Sequence, residues 1–136
     1  MSTSAQDLKA ELLRVLTEFF GNDIRRINHA KSVLHHAELL AKDRSDADMD
    51  ILLACAILHD VGIKPSEEKY GYNNGKTQEE LGPAEAEKLL HSINFPVNKV
   101  QKVKDIIGNH HSRSHYDYPE LEILKSADLI VNRTGS

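Results

Sequence analysis

The chain has 136 residues, of which 40% are hydrophobic and 28% charged, and its formal net charge is −4 at pH 7. This length is enough to bury a core, and we expect residues 1–136 to form a single domain. The negative charge and the lack of a basic stripe argue against a nucleic-acid polymer as a partner, because binding phosphates needs a basic surface. One cysteine cannot form a disulfide framework within the chain.

Neither a signal peptide nor a membrane span is predicted. The N-terminal residues lack the charged-then-apolar pattern of a secretory signal. The longest apolar run, residues 51–58, is far too short to cross a bilayer. We therefore expect a cytoplasmic protein without a membrane partner.

Helical spacing of apolar residues recurs along the chain, whereas strict alternation does not. The first predicted helix runs from about Ser4 to Phe20, and Asp23 can cap the second. A third helix begins near Ser45 and contains the apolar run 51–58, which is typical of a central helix. Gly62 is expected to end it.

The second half of the chain predicts one long loop and three more helices. Residues 63–76 are rich in proline, glycine and asparagine, and this composition favours a loop. A fourth helix begins near Thr77 or restarts at Pro83, a fifth follows Pro96, and a sixth opens at Pro119. The expected fold is all-α, a single compact bundle of about six helices.

Histidines and aspartates fall on the inward faces of three predicted helices. His29 shares a face with apolar residues of the second helix, His59 and Asp60 follow the apolar run of the third, and Asp128 lies four residues after Leu124. Such polar side chains are costly to bury unless they are paired or bind a metal. Any one of them is more commonly a packing or capping residue. The inference of a site depends on all four, which packed helices can bring together.

Four segments of the chain resemble the HD superfamily of metal-dependent phosphohydrolases. They are residues 27–33 around His29, 54–62 around His59 and Asp60, 106–111 with His110 and His111, and 122–128 ending at Asp128. The resemblance covers about residues 24–131 and implies an HD-domain-like fold in which His29, His59, Asp60 and Asp128 bind one divalent metal ion per chain. Mn, Fe, Co, Ni, Zn and Mg all suit this mixture of nitrogen and oxygen ligands.

The same resemblance implies an enzyme that cleaves a phosphate ester of a nucleotide or a similar small metabolite with a metal-activated water. Asp60, His110 and Lys64 are the predicted catalytic residues, with His110 as a phosphate contact or a proton donor to the leaving group. The predicted substrate contacts are Lys31, Lys64, His110, His111 and Arg26. For the lysines and the arginine, a solvated surface position is the commoner alternative.

Departures from the family pattern bear on the number of metals. Relatives with two metals usually have another histidine ahead of the fourth helix, where this chain has Gln78, Glu79 and Glu80. A di-iron oxygenase of the same fold, which needs two irons, therefore stays the weaker alternative. A non-catalytic ligand-sensing module and a purely structural metal site are further alternatives. The chain is short for the superfamily, so the pocket is expected to be shallow or to be completed by a second subunit in a homodimer.

Overall fold

The computed structural model describes residues 5–134, and this part of the chain forms seven α-helices and no strands. The helices are α1 (Ala5–Phe20), α2 (Ile24–Ala41), α3 (Met49–Leu58), α4 (Ile63–Tyr70), α5 (Gly75–Ser92), α6 (Val97–Ile107) and α7 (Pro119–Thr134). The predicted all-α class is confirmed, and six of these helices correspond to predicted ones. Ser4, the predicted start of the first helix, lies outside the described residues.

Helix α3 lies at the centre of the bundle. All residues from Ile51 to Leu58 are buried, and the helix contacts α1, α2, α6 and α7. Its N-terminal cap is Asp48, whose side chain accepts a hydrogen bond from the Ile51 N–H, so the predicted start near Ser45 is too early. Although α3 is apolar on every side, no helix in the described part of the chain is long and apolar enough to cross a membrane.

The segment after α3 is helical where the sequence analysis predicted a loop. Helix α4 covers Ile63–Tyr70, and only residues 71–74 separate it from α5. Pro65 fits because it lies in the first turn, where its missing N–H has no helical partner. Gly71 ends the helix in the left-handed conformation, with φ of 79°. The turn-forming residues of this segment therefore begin and end a short helix.

Helix α5 begins before both of the predicted starting points and continues without a break. Asn74 and Thr77 form a capping box, in which each side chain accepts a hydrogen bond from the backbone N–H of the other residue. The box moves the start to Gly75, ahead of Thr77. Pro83 lies inside the helix and costs it one backbone hydrogen bond without ending it.

Alanine substitutions at Gly62 and Gly21 distinguish the cost of a close backbone contact from the cost of left-handed backbone strain. A Cβ added to Gly62 would lie 2.6 Å from the Gln78 carbonyl oxygen and 2.9 Å from the Gly82 nitrogen. We expect Gly62→Ala to lower the free energy of unfolding by about 2 kcal/mol, because the α3–α4 turn and α5 must separate. The control is Gly21→Ala, where φ is +58° and the added Cβ meets nothing within 4 Å. Gly21→Ala should lower the free energy of unfolding by only about 1 kcal/mol, because the added side chain strains the left-handed backbone. Equal losses of unfolding free energy for the two variants, measured by chemical denaturation, would contradict the close contact at Gly62.

Candidate metal centre

The four predicted metal ligands meet at the C-terminal end of α3. His29 comes from α2, His59 and Asp60 from the turn after α3, and Asp128 from α7. His29 Nε2 lies 3.4 Å from Asp60 Oδ2 and 3.2 Å from Asp128 Oδ1. His59 Nε2 lies 3.4 and 3.7 Å from the same two oxygens. The structure thus brings the donor atoms of all four side chains together.

His59 offers a lone pair that no protein group among residues 5–134 uses. The side chain is 0% exposed, and its Nδ1 lies 2.8 Å from the Ala56 carbonyl oxygen. Because a carbonyl can only accept, Nδ1 carries the proton and Nε2 of the neutral ring has the lone pair. In the described part of the chain this Nε2 is buried without a hydrogen-bond partner, which is costly unless something else satisfies it. A divalent cation fits the position, since two imidazoles and two carboxylates surround it.

His29 is a candidate ligand whose pKa is raised by both carboxylates, Asp128 and Asp60. Its hydrogen bond to Asp128 is the main cause that raises the pKa of His29, with the charge of Asp60 adding to it and burial opposing it. Burial acts to raise the pKa of Asp128, but the hydrogen bond from His29 and the neighbouring imidazoles lower it overall. A proton on His29 therefore competes with any cation at this position, as is usual for metal sites built on histidine.

A second group of possible ligands shares Asp60 with the first. One donor atom from each of Asp60, His110 and His111 lies within 4.8 Å of the other two. The Nδ1–H of His110 donates to the Ile107 carbonyl at 2.6 Å. Its Nε2 lies 4.0 Å from Asp60 Oδ1 and is buried without a hydrogen-bond partner among the residues that the structure describes. Asp60 therefore lies between two groups of imidazoles.

The protonation state of His110 bears on its predicted role in catalysis and substrate binding. Burial, helped by the nearby His59 and His111, lowers the pKa of His110 to about 3. At neutral pH the ring is therefore uncharged, and its one N–H is already used by the backbone. This arrangement argues against the predicted phosphate contact or proton donor and favours a ligand or a hydrogen-bond acceptor.

The three cations predicted to contact substrate have other partners or positions. Lys64 Nζ donates to the Phe19 carbonyl at 3.2 Å and lies over the Phe19 ring. The Arg26 guanidinium lies 3.3 Å from Glu67 Oε1, and the exposed Lys31 lines a shallow groove of exposed and half-buried α2 residues. Among residues 5–134, no hydrogen bond or ion pair joins these three side chains to the two ligand groups. Their contact with a substrate stays a prediction.

The sequence analysis missed the residues that hold His111 in place. Gln78 Oε1 lies 2.6 Å from His111 Nε2. Glu79 Oε2 accepts hydrogen bonds from the backbone N–H groups of His111 and Ser112 and from the Ser112 hydroxyl, each at 2.9 Å. A Cβ on Gly75 would lie only 3.0 Å from the Cβ of His111. The first two turns of α5 thus fix an otherwise exposed histidine, and the sequence signalled only that Gln78 stands where relatives have a histidine.

An all-helical bundle with an internal cluster of histidines and aspartates is the arrangement of a helical protein that can bind a divalent metal. A family model described as the HD domain matches residues 26–133, and the chain belongs to this family. A similar solved structure is that of a predicted HD superfamily hydrolase from an uncultured Thermotogales bacterium, with a TM-score of 0.65 and 26% identity, covering 93% of this chain and 73% of that chain. No curated protein matches the sequence. The expected HD-domain-like fold is confirmed.

Proposed function

We propose that this chain is a metal-dependent phosphohydrolase that cleaves a phosphate ester of a nucleotide or a similar small metabolite. The observation that carries the proposal is the buried Nε2 of His59, which faces two carboxylates and has no hydrogen-bond partner within residues 5–134. The HD domain match and the hydrolase description of the similar Thermotogales structure support the class of reaction. The choice of a phosphate ester follows the family resemblance.

His29, His59, Asp60 and Asp128 would hold the metal, one ion per chain. A bound divalent ion supplies Lewis-acid polarisation of a phosphoryl oxygen and lowers the pKa of a water. The side chain of His59 is fully buried, whereas that of His29 is 26% exposed. A substrate would therefore approach from the His29 side, while the Ala56 carbonyl holds the His59 ring in its ligating orientation.

Metal binding and phosphate release test the proposal together. We expect the chain, reconstituted separately with Mn, Fe, Co, Ni, Zn and Mg, to bind an equimolar amount of at least one ion. The loaded protein should release phosphate from a member of a panel of nucleotides and sugar phosphates, and a chelator should abolish the release. Binding of no ion, or of an ion without phosphate release from any ester, would contradict the proposal.

A di-iron oxygenase is the second candidate, and the position of Asp60 between two pairs of histidines is the observation that favours it. Oδ2 of Asp60 lies 3.4 Å from Nε2 of both His29 and His59, and Oδ1 lies 4.0 Å from His110 Nε2. Against it, the second group has a glutamine amide beside His111 where a further imidazole would be expected to bind a second iron. Two irons per chain, with oxygen consumption and no phosphate release, would favour the oxygenase over the hydrolase. A protein that binds ligand without turnover would instead support the non-catalytic sensing module.

A further inference from the structure

A line of hydrogen bonds connects a carboxylate on α4 with His111. Glu67 Oε2 accepts from Asn73 Nδ2 at 2.9 Å, and Asn73 Oδ1 accepts from Gln78 Nε2 at 2.9 Å. Gln78 Oε1 lies 2.6 Å from His111 Nε2. Gln78, the central member, is only 8% exposed. The line thus runs from an exposed ion pair into the ligand cluster.

The direction of every hydrogen bond in this line follows from its first member. A carboxylate can only accept, so Asn73 turns its amide NH₂ toward Glu67 and its carbonyl oxygen toward Gln78. Gln78 must then donate to Asn73 and present its own carbonyl oxygen to His111. Since amide oxygen and nitrogen have nearly the same shape, it is this network that orients them. The proton of the neutral His111 ring is therefore on Nε2.

The outer end of the line is itself anchored. The Arg26 guanidinium lies 3.3 Å from Glu67 Oε1 and 3.0 Å from Asp23 Oδ2. Arg26, which the sequence analysis predicted as a substrate contact, thus fixes the carboxylate at the start of the line. This ion pair joins the beginning of α2 to α4.

We propose that Gln78 is a positioning residue for His111, and that Glu67 and Asn73 set the direction of its hydrogen bond. With Nε2 donating to Gln78, the nitrogen of His111 that has a free lone pair is Nδ1. His110 has the opposite arrangement, because its Nδ1–H donates to the Ile107 carbonyl and Nε2 has the lone pair. Each of the two neighbouring histidines therefore keeps a lone pair on one ring nitrogen, Nδ1 in His111 and Nε2 in His110.

The arrangement of lone pairs determines which part of a substrate can lie beside Asp60, His110 and His111. The His110 lone pair and the Asp60 carboxylate, 4.0 Å apart, attract a cation or a hydrogen-bond donor such as a hydroxyl group, and they repel a phosphate oxygen. His111 is then an acceptor and not the phosphate contact that the sequence analysis predicted. This orientation of the substrate rests on the proposed function, whereas the direction of the hydrogen bonds does not.

The tautomers can be read directly from the ring ¹⁵N shifts of the metal-free full chain at about pH 8.5, two units above the ordinary pKa of histidine. We expect the proton of His111 on Nε2 alone and that of His110 on Nδ1 alone. His110 thus serves as an internal reference of the opposite tautomer. A proton on Nδ1 of His111 would overturn the proposal.

Variants test whether Gln78 sets the tautomer of His111 or whether the imidazole ring adopts that tautomer without it. Gln78→Leu removes the acceptor, so we expect the His111 shifts to move toward those of a mixture, whereas Gln78→Glu keeps the acceptor and should restore the single tautomer. Glu67→Gln removes the carboxylate that sets the direction, and it should shift the His111 tautomer although Glu67 does not touch His111. Unchanged His111 shifts in Gln78→Leu and Glu67→Gln would overturn the proposal.

The control is Gln101→Leu, which removes an exposed glutamine whose side-chain hydrogen bond within residues 5–134 goes to Asp105 on the same helix. It should leave the His111 shifts unchanged, and backbone amide spectra verify that each variant is folded. If Gln78→Leu does not fold, the Glu67→Gln result decides alone. Because neither metal nor substrate is present, these results are independent of whether the chain hydrolyses a phosphate ester.

Discussion

Asp60→Asn is expected to abolish metal binding and to lower the rate of phosphate release by at least about 1,000-fold. The two carboxylate oxygens of Asp60 face different imidazoles, Oδ2 lying 3.4 Å from His59 Nε2 and Oδ1 4.0 Å from His110 Nε2. Asparagine keeps the shape but replaces one oxygen with an NH₂ group, which cannot bind a cation. Metal activation contributes several kcal/mol, and about 4 kcal/mol corresponds to this change in rate.

Elemental analysis and initial rates on the ester found in the screen measure both effects of this substitution. Asp46→Asn is the matched control, because Asp46 is an exposed carboxylate whose ion-pair partner is Arg44. The control should keep the metal content and the rate of the wild type. Wild-type metal content in Asp60→Asn would contradict the assignment of Asp60 as a ligand.

Lys102→Met is expected to lower the free energy of unfolding by about 3 kcal/mol. Glu120 is 1% exposed, with Oε1 3.0 Å from Lys102 Nζ and Oε2 2.6 Å from the backbone nitrogen of Asp48. Without Lys102 the Glu120 carboxylate stays buried but loses its counter-charge. A buried charge without a partner is strongly destabilising. Because the Lys102 side chain is itself 31% exposed, we expect a loss of unfolding free energy at the lower end of the range that is usual when one partner of a buried ion pair is removed.

A double-mutant cycle tests this explanation. Glu120→Gln removes the charge but keeps an oxygen that can accept from the Asp48 N–H. We therefore expect the double variant Lys102→Met/Glu120→Gln to be more stable than Lys102→Met alone. Urea denaturation of the four proteins gives the coupling, and additive losses within about 0.5 kcal/mol would contradict it. Lys99→Met is the control, since Lys99 pairs with partly exposed carboxylates and should cost less than about 1 kcal/mol.

The local pattern of the sequence was enough to predict most helices and to place the four candidate ligands of the first group on buried faces. Their role as metal ligands was implied by the resemblance to the HD superfamily. His29, His59, Asp60 and Asp128 lie three or four residues from apolar neighbours, and this spacing places a side chain on the buried face of a helix regardless of its partner. Helix α4 was missed because only Ile63 and Ser66 are buried along its eight residues. It has no apolar stripe long enough to reveal it, and its flanking glycines look like those of a loop.

The partners of the polar side chains were decided by the tertiary structure. Lys64 donates to a carbonyl 45 residues away, Gln78 contacts His111 at a separation of 33, and Glu120 accepts from a backbone N–H at a separation of 72. Whether a lysine meets a substrate or a carbonyl, and whether a glutamate is solvated or buried, depends on which helices lie beside it. The sequence by itself thus determined the helical class and the inward-facing positions of these histidines and aspartates, because both depend on spacing within one helix. Packing between helices decided the second ligand group, the anchoring of His111 and the buried ion pair, because these contacts join residues that no local pattern relates.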